Sequence, residues 1–353
     1  MTRSIVPPYL LAHLAEADAT RLTRAPEAAR HLLAQLDEVR SARSAAPPVR
    51  QGAIAADPVL ERTIADAHGT EELPGDVVRH EGDPAGDDPA VTEAYDALGA
   101  TYALFDEVYG RSSIDGAGLP LDATVHYGLD YDNAFWNGER MVFGDGDGEV
   151  FRRFTASVSV VGHELTHGVT QYTANLEYQG QSGALNESVS DVFGALVEQY
   201  LHRHDTAEAT WLIGEGLFTD EVQGRALRSM KAPGTAYDDD VLGVDPQPAD
   251  MAGYVETADD NGGVHLNSGI PNRAFYLVAE VLGGAAWERA GQIWYDTITN
   301  GSLSTTADFA EFAAATIAAA TERYGDRSDE VRATVAGWRG VGVTVAVEGG
   351  MSH

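Results

Sequence analysis

The sequence predicts an α+β fold: a β-rich N-terminal half, a mostly α-helical C-terminal half, and a central helix carrying the chemistry at the cleft between them. Three observations predict it. Over residues 54–151 short apolar runs are bounded by glycine and proline turns, after Val158 apolar residues recur every three or four positions, and His163-Glu164-Leu165-Thr166-His167 stands at the join. Bounded runs mark strands and 3–4 spacing marks helices, so the change of pattern is a change of structure. Clefts between such halves are favoured ligand sites.

Composition narrows the function. At 353 residues and 44% hydrophobic, the chain is long enough for two domains and an appendage. A net charge of -32 argues against nucleic acid or an anionic membrane as partner and is explained most simply by solubility. There is no cysteine, so disulfides and thiolate ligands are excluded and any metal must be held by His, Asp or Glu. No apolar run has the length of a membrane span. Pro7 and Pro8 interrupt the apolar stretch near the N-terminus, so an ordinary signal peptide is not expected. Cytoplasmic location and secretion by a non-classical route both stay open.

Residues 12–43 read as helical, with Leu14, Leu22, Leu32, Leu33, Leu36 and Val39 at rough 3–4 spacing. Ser41 to Gly52, with Pro47 and Pro48, reads as a linker exposed to proteolysis. On residue chemistry Pro7-Pro8-Tyr9-Leu10 is a turn, or else a stiff extended stretch presented to a groove. Strands are expected at Val77-Val78, Thr124 to Tyr127 and Met141 to Phe143, with one helix over about 89–109. Gly144-Asp145-Gly146-Asp147-Gly148 is too short for a twelve-residue calcium loop and reads as a tight acidic turn. Helices follow over about 156–175, 183–203, 206–216, 264–282, 285–299, 305–324 and 328–338, with a long loop around 231–263.

His163 and His167 are four apart, which on a helix puts both imidazoles on one face, where one zinc can bind them. A helix with two satisfied surface histidines has the same spacing, so the surroundings decide. Downstream, Glu187 and Asp191 are again four apart. One carboxylate can ligate the metal while the other accepts the free ring N–H of a liganding histidine. Glu164 stands beside the first ligand, placed to act on a water.

These residues carry a resemblance. His163-Glu164-Leu165-Thr166-His167 followed by Asn186-Glu187-x-x-Ser190-Asp191, together with Asn133 to Gly138, Leu227-Arg228-Ser229-Met230 and Asp260 to Gly269, resembles the thermolysin family of zinc endopeptidases over most of residues 57–345. The resemblance implies one zinc held by His163, His167 and Glu187, with Glu164 as general base and Asp191 behind the ligands. It implies Tyr178 and His265 as oxyanion donors, with Asp260 orienting His265. Arg228 would hold a substrate carbonyl, and Asn133 with the backbone of Ala134 and Trp136 would pair with the substrate chain. Phe151, Val160, Leu217 and Leu227 would line the pocket for the residue after the cut, which predicts cleavage before Leu, Ile, Val or Phe. Taken alone, Tyr178 reads as a core aromatic, His265 as a capping residue, Arg228 as a surface charge and the four apolar residues as core.

Departures from the family pattern carry information too. Ser159, Thr210 and Leu212 stand where the paired calcium site is acidic, leaving Glu198 and Glu215, and Arg225 stands at another acidic position. With too few oxygens, the paired calcium site is expected to be lost. A first segment of about 50 residues with Pro7-Pro8-Tyr9-Leu10 resembles the short inhibitory propeptide of the protealysin-like subgroup, removed by proteolysis. The expected organisation is therefore a propeptide over 1–50, a β-rich half with the zinc helix over 51–175 and a helical half over 176–353. Maturation is expected within 41–54. The expected partners are peptide and protein substrates and the chain's own propeptide, and the expected state is a monomer. A zinc-bearing binding module that has lost catalysis is the second reading, weakened by the presence of Glu164, Tyr178, His265 and Arg228.

Overall fold

The computed structural model describes residues 3–18, 21–41 and 59–344, so the expected maturation stretch after Ser41 lies outside the described residues. Six strands form the main sheet: β1 (Arg3–Ser4), β2 (Arg62–Asp66), β3 (Asp76–His80), β4 (Leu121–Val125), β5 (Ala134–Trp136) and β6 (Met141–Phe143). Their order is β1-β5-β6-β4-β2-β3, parallel from β6 through β4 to β2 and antiparallel elsewhere. All of β5 and β6 is buried, as the unbroken apolar runs require.

The N-terminal segment supplies the edge strand β1 and two helices, α1 (Pro8–Ala15) and α2 (Ala25–Ser41). The single helix expected over 12–43 is thus broken. Glu149, far along the chain, accepts hydrogen bonds from Thr23 Oγ1 at 2.8 Å, Arg24 N at 2.8 Å and Ala25 N at 3.1 Å. It caps the start of α2 from outside the segment. Pro7-Pro8-Tyr9-Leu10 is neither a turn nor extended: Pro7 is the N-cap and Pro8 opens α1, the position where a missing N–H costs nothing.

Helix α3 (Pro89–Ala103) is capped by Asp88, whose other oxygen meets His126 Nε2 at 2.8 Å. Hydrogen bonding to Asp145 outweighs burial and raises His126 to about 9, with Asp88 adding to it. The central helix α4 (Val158–Tyr172) is buried from Ser159 through Thr170 and packs along α5 (Gly180–His202). Their backbones meet at two glycines. A Cβ on Gly194 would lie 2.4 Å from Ser159 O, and one on Gly162 would lie 3.1 Å from Gly194 Cα.

Instead of the helix expected over 206–216, turns lead into β7 (Leu212–Ile213), which pairs with β8 (Arg228–Ser229). Trp211, Gly214 and Gly216 all have positive φ, which no helix accommodates. A second small pair, β9 (Asp238–Asp239) and β10 (Gly243–Val244), interrupts the long loop. Then come α6 (Asp260–Asn267), α7 (Gly269–Leu282), α8 (Ala290–Thr299), α9 (Phe309–Tyr324) and α10 (Asp329–Gly340). Trp294 on α8 stacks on Trp338 on α10 at 6.0 Å, with Phe275 and Phe312 against them.

Asp132, just before β5, and Asp147, just after β6, are both fully buried. Asp147 Oδ1 accepts from the backbone of Glu149, Val150 and Phe151, and Asp132 Oδ1 accepts from Asp147 N at 2.7 Å. Each Oδ2 is buried without a hydrogen-bond partner. Burial, and then the Asp147 charge, hold Asp132 well above the usual carboxylate range.

Two tests follow from this packing. Gly194→Ala forces the α4–α5 crossing apart and should cost about 1–3 kcal/mol, read as a lower urea midpoint; an unchanged midpoint would contradict the close crossing. Asp132 keeps its proton when folded and loses it when unfolded above about pH 4, so its effect on stability worsens as pH rises from there. Asp132→Asn should therefore raise Tm at pH 8 and have little effect at pH 4, and a pH-independent difference would refute the raised Asp132 carboxyl.

Candidate active site

α4 and α5 bring the two i, i+4 pairs face to face. His163 and His167 project from α4, and Glu187 and Asp191 from α5, all fully buried. His163 Nε2 lies 3.5 Å from Glu187 Oε2, and His167 Nε2 lies 3.3 Å from Glu187 Oε1. Bonds of about 2.0–2.1 Å in a tetrahedral zinc site place neighbouring donor atoms at about this separation. Among the described residues these three side chains form a group whose ligand atoms all lie within 4.8 Å of one another. His163 Nε2 and Glu187 Oε2 make no hydrogen bond, which a buried donor set turned toward a cation explains. The residues therefore fit zinc. Burial raises the Glu187 carboxyl, but His265, His167 and His163 outweigh it and hold it well below the usual range, ready to ligate.

The other ring nitrogens set the tautomers. His163 Nδ1 donates to Asp191 Oδ1 at 2.8 Å, and His167 Nδ1 donates to Asn186 Oδ1 at 2.8 Å with Ser190 Oγ at 3.0 Å. Both Nε2 lone pairs are thereby left for the metal. Asn186 and Ser190 belong to the motif read in the sequence, yet nothing there assigned them this task; their place beside Glu187 on α5 was the available signal.

Asp191 reaches further. Arg228 Nε and Nη2 each meet its carboxylate at 2.8 Å, and Asn272 Nδ2 donates to Oδ2 at 2.8 Å. Asn272, on α7, carries no sequence signal for this contact. Burial would raise Asp191, but Arg228 and His163 bring it down to about 2. Arg228 is itself fully buried, not the surface charge its residue type suggests.

His265 and Tyr178 face the same space. The Tyr178 hydroxyl donates to Glu187 Oε1 and stands 3.3 Å from His265 Nε2. Asp260 to Gly263 all have positive φ, a left-handed run supplied by Asp-Asn-Gly-Gly that turns the Asp260 carboxylate back onto His265. Its oxygens accept from His265 N at 2.8 Å and Nδ1 at 2.6 Å. Burial alone lowers His265, but Asp260 and Glu187 raise it to about 9, so both ring nitrogens carry protons. Opposite, Glu164 Oε2 accepts from Trp136 N on β5 at 3.0 Å. Phe151, Val160, Leu217 and Leu227 are buried and share one apolar cluster.

The groove along β5 holds the chain's own Ser4-Ile5-Val6. Asn133 Oδ1 accepts from Val6 N at 3.2 Å and Ala134 O from Ile5 N at 3.2 Å. Arg228 Nη1 donates to Ile5 O at 3.0 Å, and His265 Nε2 to Ser4 O at 3.1 Å. The motif Pro7-Pro8-Tyr9-Leu10 borders this groove, while the three residues before it enter it; sequence reading missed them.

Comparison with known proteins agrees with this geometry. Residues 57–171 match the thermolysin metallopeptidase catalytic domain and residues 174–343 match the thermolysin metallopeptidase alpha-helical domain. An extracellular metalloprotease of Pectobacterium carotovorum subsp. carotovorum is 50% identical over 345 residues, covering 98% of this chain and 97% of the relative. Protease PrtS of Photorhabdus sp. (strain Az29) is 50% identical over 291 residues, covering 82% of this chain and 78% of the relative. The solved precursor of protealysin, a metalloproteinase from Serratia proteamaculans, superposes with a TM-score of 0.88 at 50% identity and covers 97% of this chain and 100% of that one. With an α+β fold split at the zinc-type helix and two family domains matched end to end, the chain belongs to the thermolysin family of metallopeptidases.

Proposed function

We propose that the chain is the precursor of a neutral zinc endopeptidase that hydrolyses internal peptide bonds, preferring a hydrophobic residue on the amine side of the cut. The observation that carries this reading is the buried convergence of His163, His167 and Glu187 beside Glu164, with an edge strand running past them. When bound at His163, His167 and Glu187, zinc supplies a Lewis acid that makes water nucleophilic at neutral pH. Glu164 takes the proton of the attacking water and passes it to the leaving amine. Tyr178 and His265 donate to the oxygen on which negative charge develops, and Asp260 keeps His265 cationic and aimed. Asp191 holds both the His163 tautomer and Arg228, while Arg228, Asn133, Ala134 and Trp136 align the substrate as an added strand.

Phe151, Val160, Leu217 and Leu227 favour Leu, Ile, Val or Phe after the cut. An apolar pocket discriminates by about 1–3 kcal/mol per methylene-scale change, which gives a preference and not strict selection. Residues 1–50 act as the propeptide, removed within 41–54 by the enzyme's own activity. The docked N-terminal segment and the likeness to a solved precursor support this. The paired calcium site is lost; Ser159 instead donates its position to the fold by accepting from Gly214 N at 3.1 Å. A relative named an extracellular metalloprotease supports action outside the cell.

Casein hydrolysis should stop with chelator and return with zinc. Glu164→Ala should keep zinc, measured on the same sample, and lose nearly all hydrolysis; equal activity in all samples would reject the enzyme. Asp191→Asn should weaken zinc binding by about 10–100-fold, read by competition with a chromogenic chelator, and unaltered affinity would remove Asp191 from the site.

A further inference from the structure

We propose that Gly183 is a positioning residue for the reaction: it lets the turn before α5 and the turn into α6 pack in direct contact, and so sets the gap between Tyr178 and His265. This rests on the proposed endopeptidase reading, in which both side chains donate to the oxygen that becomes negative.

The two donors come from distant parts of the chain. Tyr178 and His265 are 87 residues apart, yet the hydroxyl and Nε2 stand 3.3 Å from one another. Donors of this kind act at about 2.7–3.1 Å from the place where charge develops, and a displacement of about 1 Å can cost about 100-fold in rate. Hydrogen bonds fix each donor within its own turn. Ser182 Oγ donates to Glu177 O and Gln179 O, both at 2.9 Å, Gly183 N donates to Gln179 O at 3.1 Å, and Glu177 N donates to Thr305 O at 2.7 Å. On the other side Asp260 holds His265, and Gln247 Nε2 donates to His265 O at 2.7 Å. None of these bonds crosses from one turn to the other.

Packing makes the crossing. A Cβ on Gly183 would lie 2.4 Å from Val264 Cγ1 and 3.0 Å from the Tyr178 carbonyl carbon. Alongside it, a Cβ on Gly262 would lie 3.0 Å from both Cα and N of Gly180. Val264 precedes His265, is fully buried, and as a β-branched residue has little freedom to turn aside. Gly183 therefore fills the gap between the backbone of one donor and the neighbour of the other, and a methyl group there must push them apart. Glycine is unfavourable inside a helix, and Gly183 lies within α5, so what it contributes is the space it leaves.

The test is steady-state hydrolysis of an internally quenched peptide with leucine after the cut, by zinc-loaded protein matured from the full chain, with rates expressed per bound zinc. Gly183→Ala should lower kcat by about 10–100-fold at unchanged KM, the mark of an interaction made only in the transition state. Gly183→Ala combined with Val264→Ala removes the clashing Cγ1 and should regain about fivefold or more over Gly183→Ala alone. A merely structural role would lower Tm and yield while leaving kcat per bound zinc at the wild-type value. That outcome overturns the proposal, and so does a double variant no faster than Gly183→Ala. Should Gly183→Ala fail to fold, Val264→Ala alone decides. It loosens the same contact and should lower kcat about threefold or more at unchanged KM, and a wild-type kcat there overturns the proposal. Absence of hydrolysis by the wild-type chain overturns the endopeptidase reading beneath it.

Discussion

One buried carboxylate ties the site together. Asp191 accepts from His163 on α4, from two nitrogens of Arg228 on β8 and from Asn272 on α7. Burial of such a group is costly unless every oxygen is satisfied, and removing one partner of a buried pair typically costs about 3–5 kcal/mol because the other charge is stranded. His163, a proposed metal ligand, and Arg228, whose Nη1 reaches into the groove, therefore cannot move independently. The close crossing at Gly162 and Gly194 makes this possible, since only backbones that nearly touch let α5 offer Glu187 and Asp191 to α4.

Much of this was legible in the sequence because it is local. The two i, i+4 pairs declare their own geometry, whereas the left-handed turn at Asp260 to Gly263 was read only as part of a motif. Tyr178, His265 and Arg228 are different: residue chemistry reads them as core, cap and surface, and only the resemblance gave them roles. Asn272 stayed illegible because its partner lies 81 residues away and nothing around it is periodic toward that contact.

The misread elements fail for the same reason. Ala207, Ala209, Trp211 and Leu212 suggest a helix, but pairing of β7 with β8 and positive φ at Trp211 override local preference. The helix expected over 12–43 breaks because α2 is capped by Glu149, a residue from the body of the protein. Burial pushes the Glu149 carboxyl up, yet the N–H groups of Ala25 and Arg24 and the Thr23 hydroxyl bring it down to about 2. A cap supplied from 124 residues away has no local signature. Pro26, near the start of α2, was the usable sign that a new helix begins there.

In sequence, the groove residues Ser4 to Val6 lie well before the expected maturation stretch within 41–54. Four hydrogen bonds hold Ser4, Ile5 and Val6, each worth about 0.5–1.5 kcal/mol net, which makes a weak ligand if free. Attached to the body, the segment competes as an intramolecular group at an effective concentration of roughly millimolar, and α1 and α2 add contacts such as Arg21 with Asp240 at 2.8 Å. The proposed cut within 41–54 would end that covalent attachment and leave the segment to its own contacts. The apolar side chains that the segment buries, Leu10, Leu11, Leu14, Leu22 and Leu32, then decide how firmly it stays, since fully burying each contributes about 1.5–3 kcal/mol.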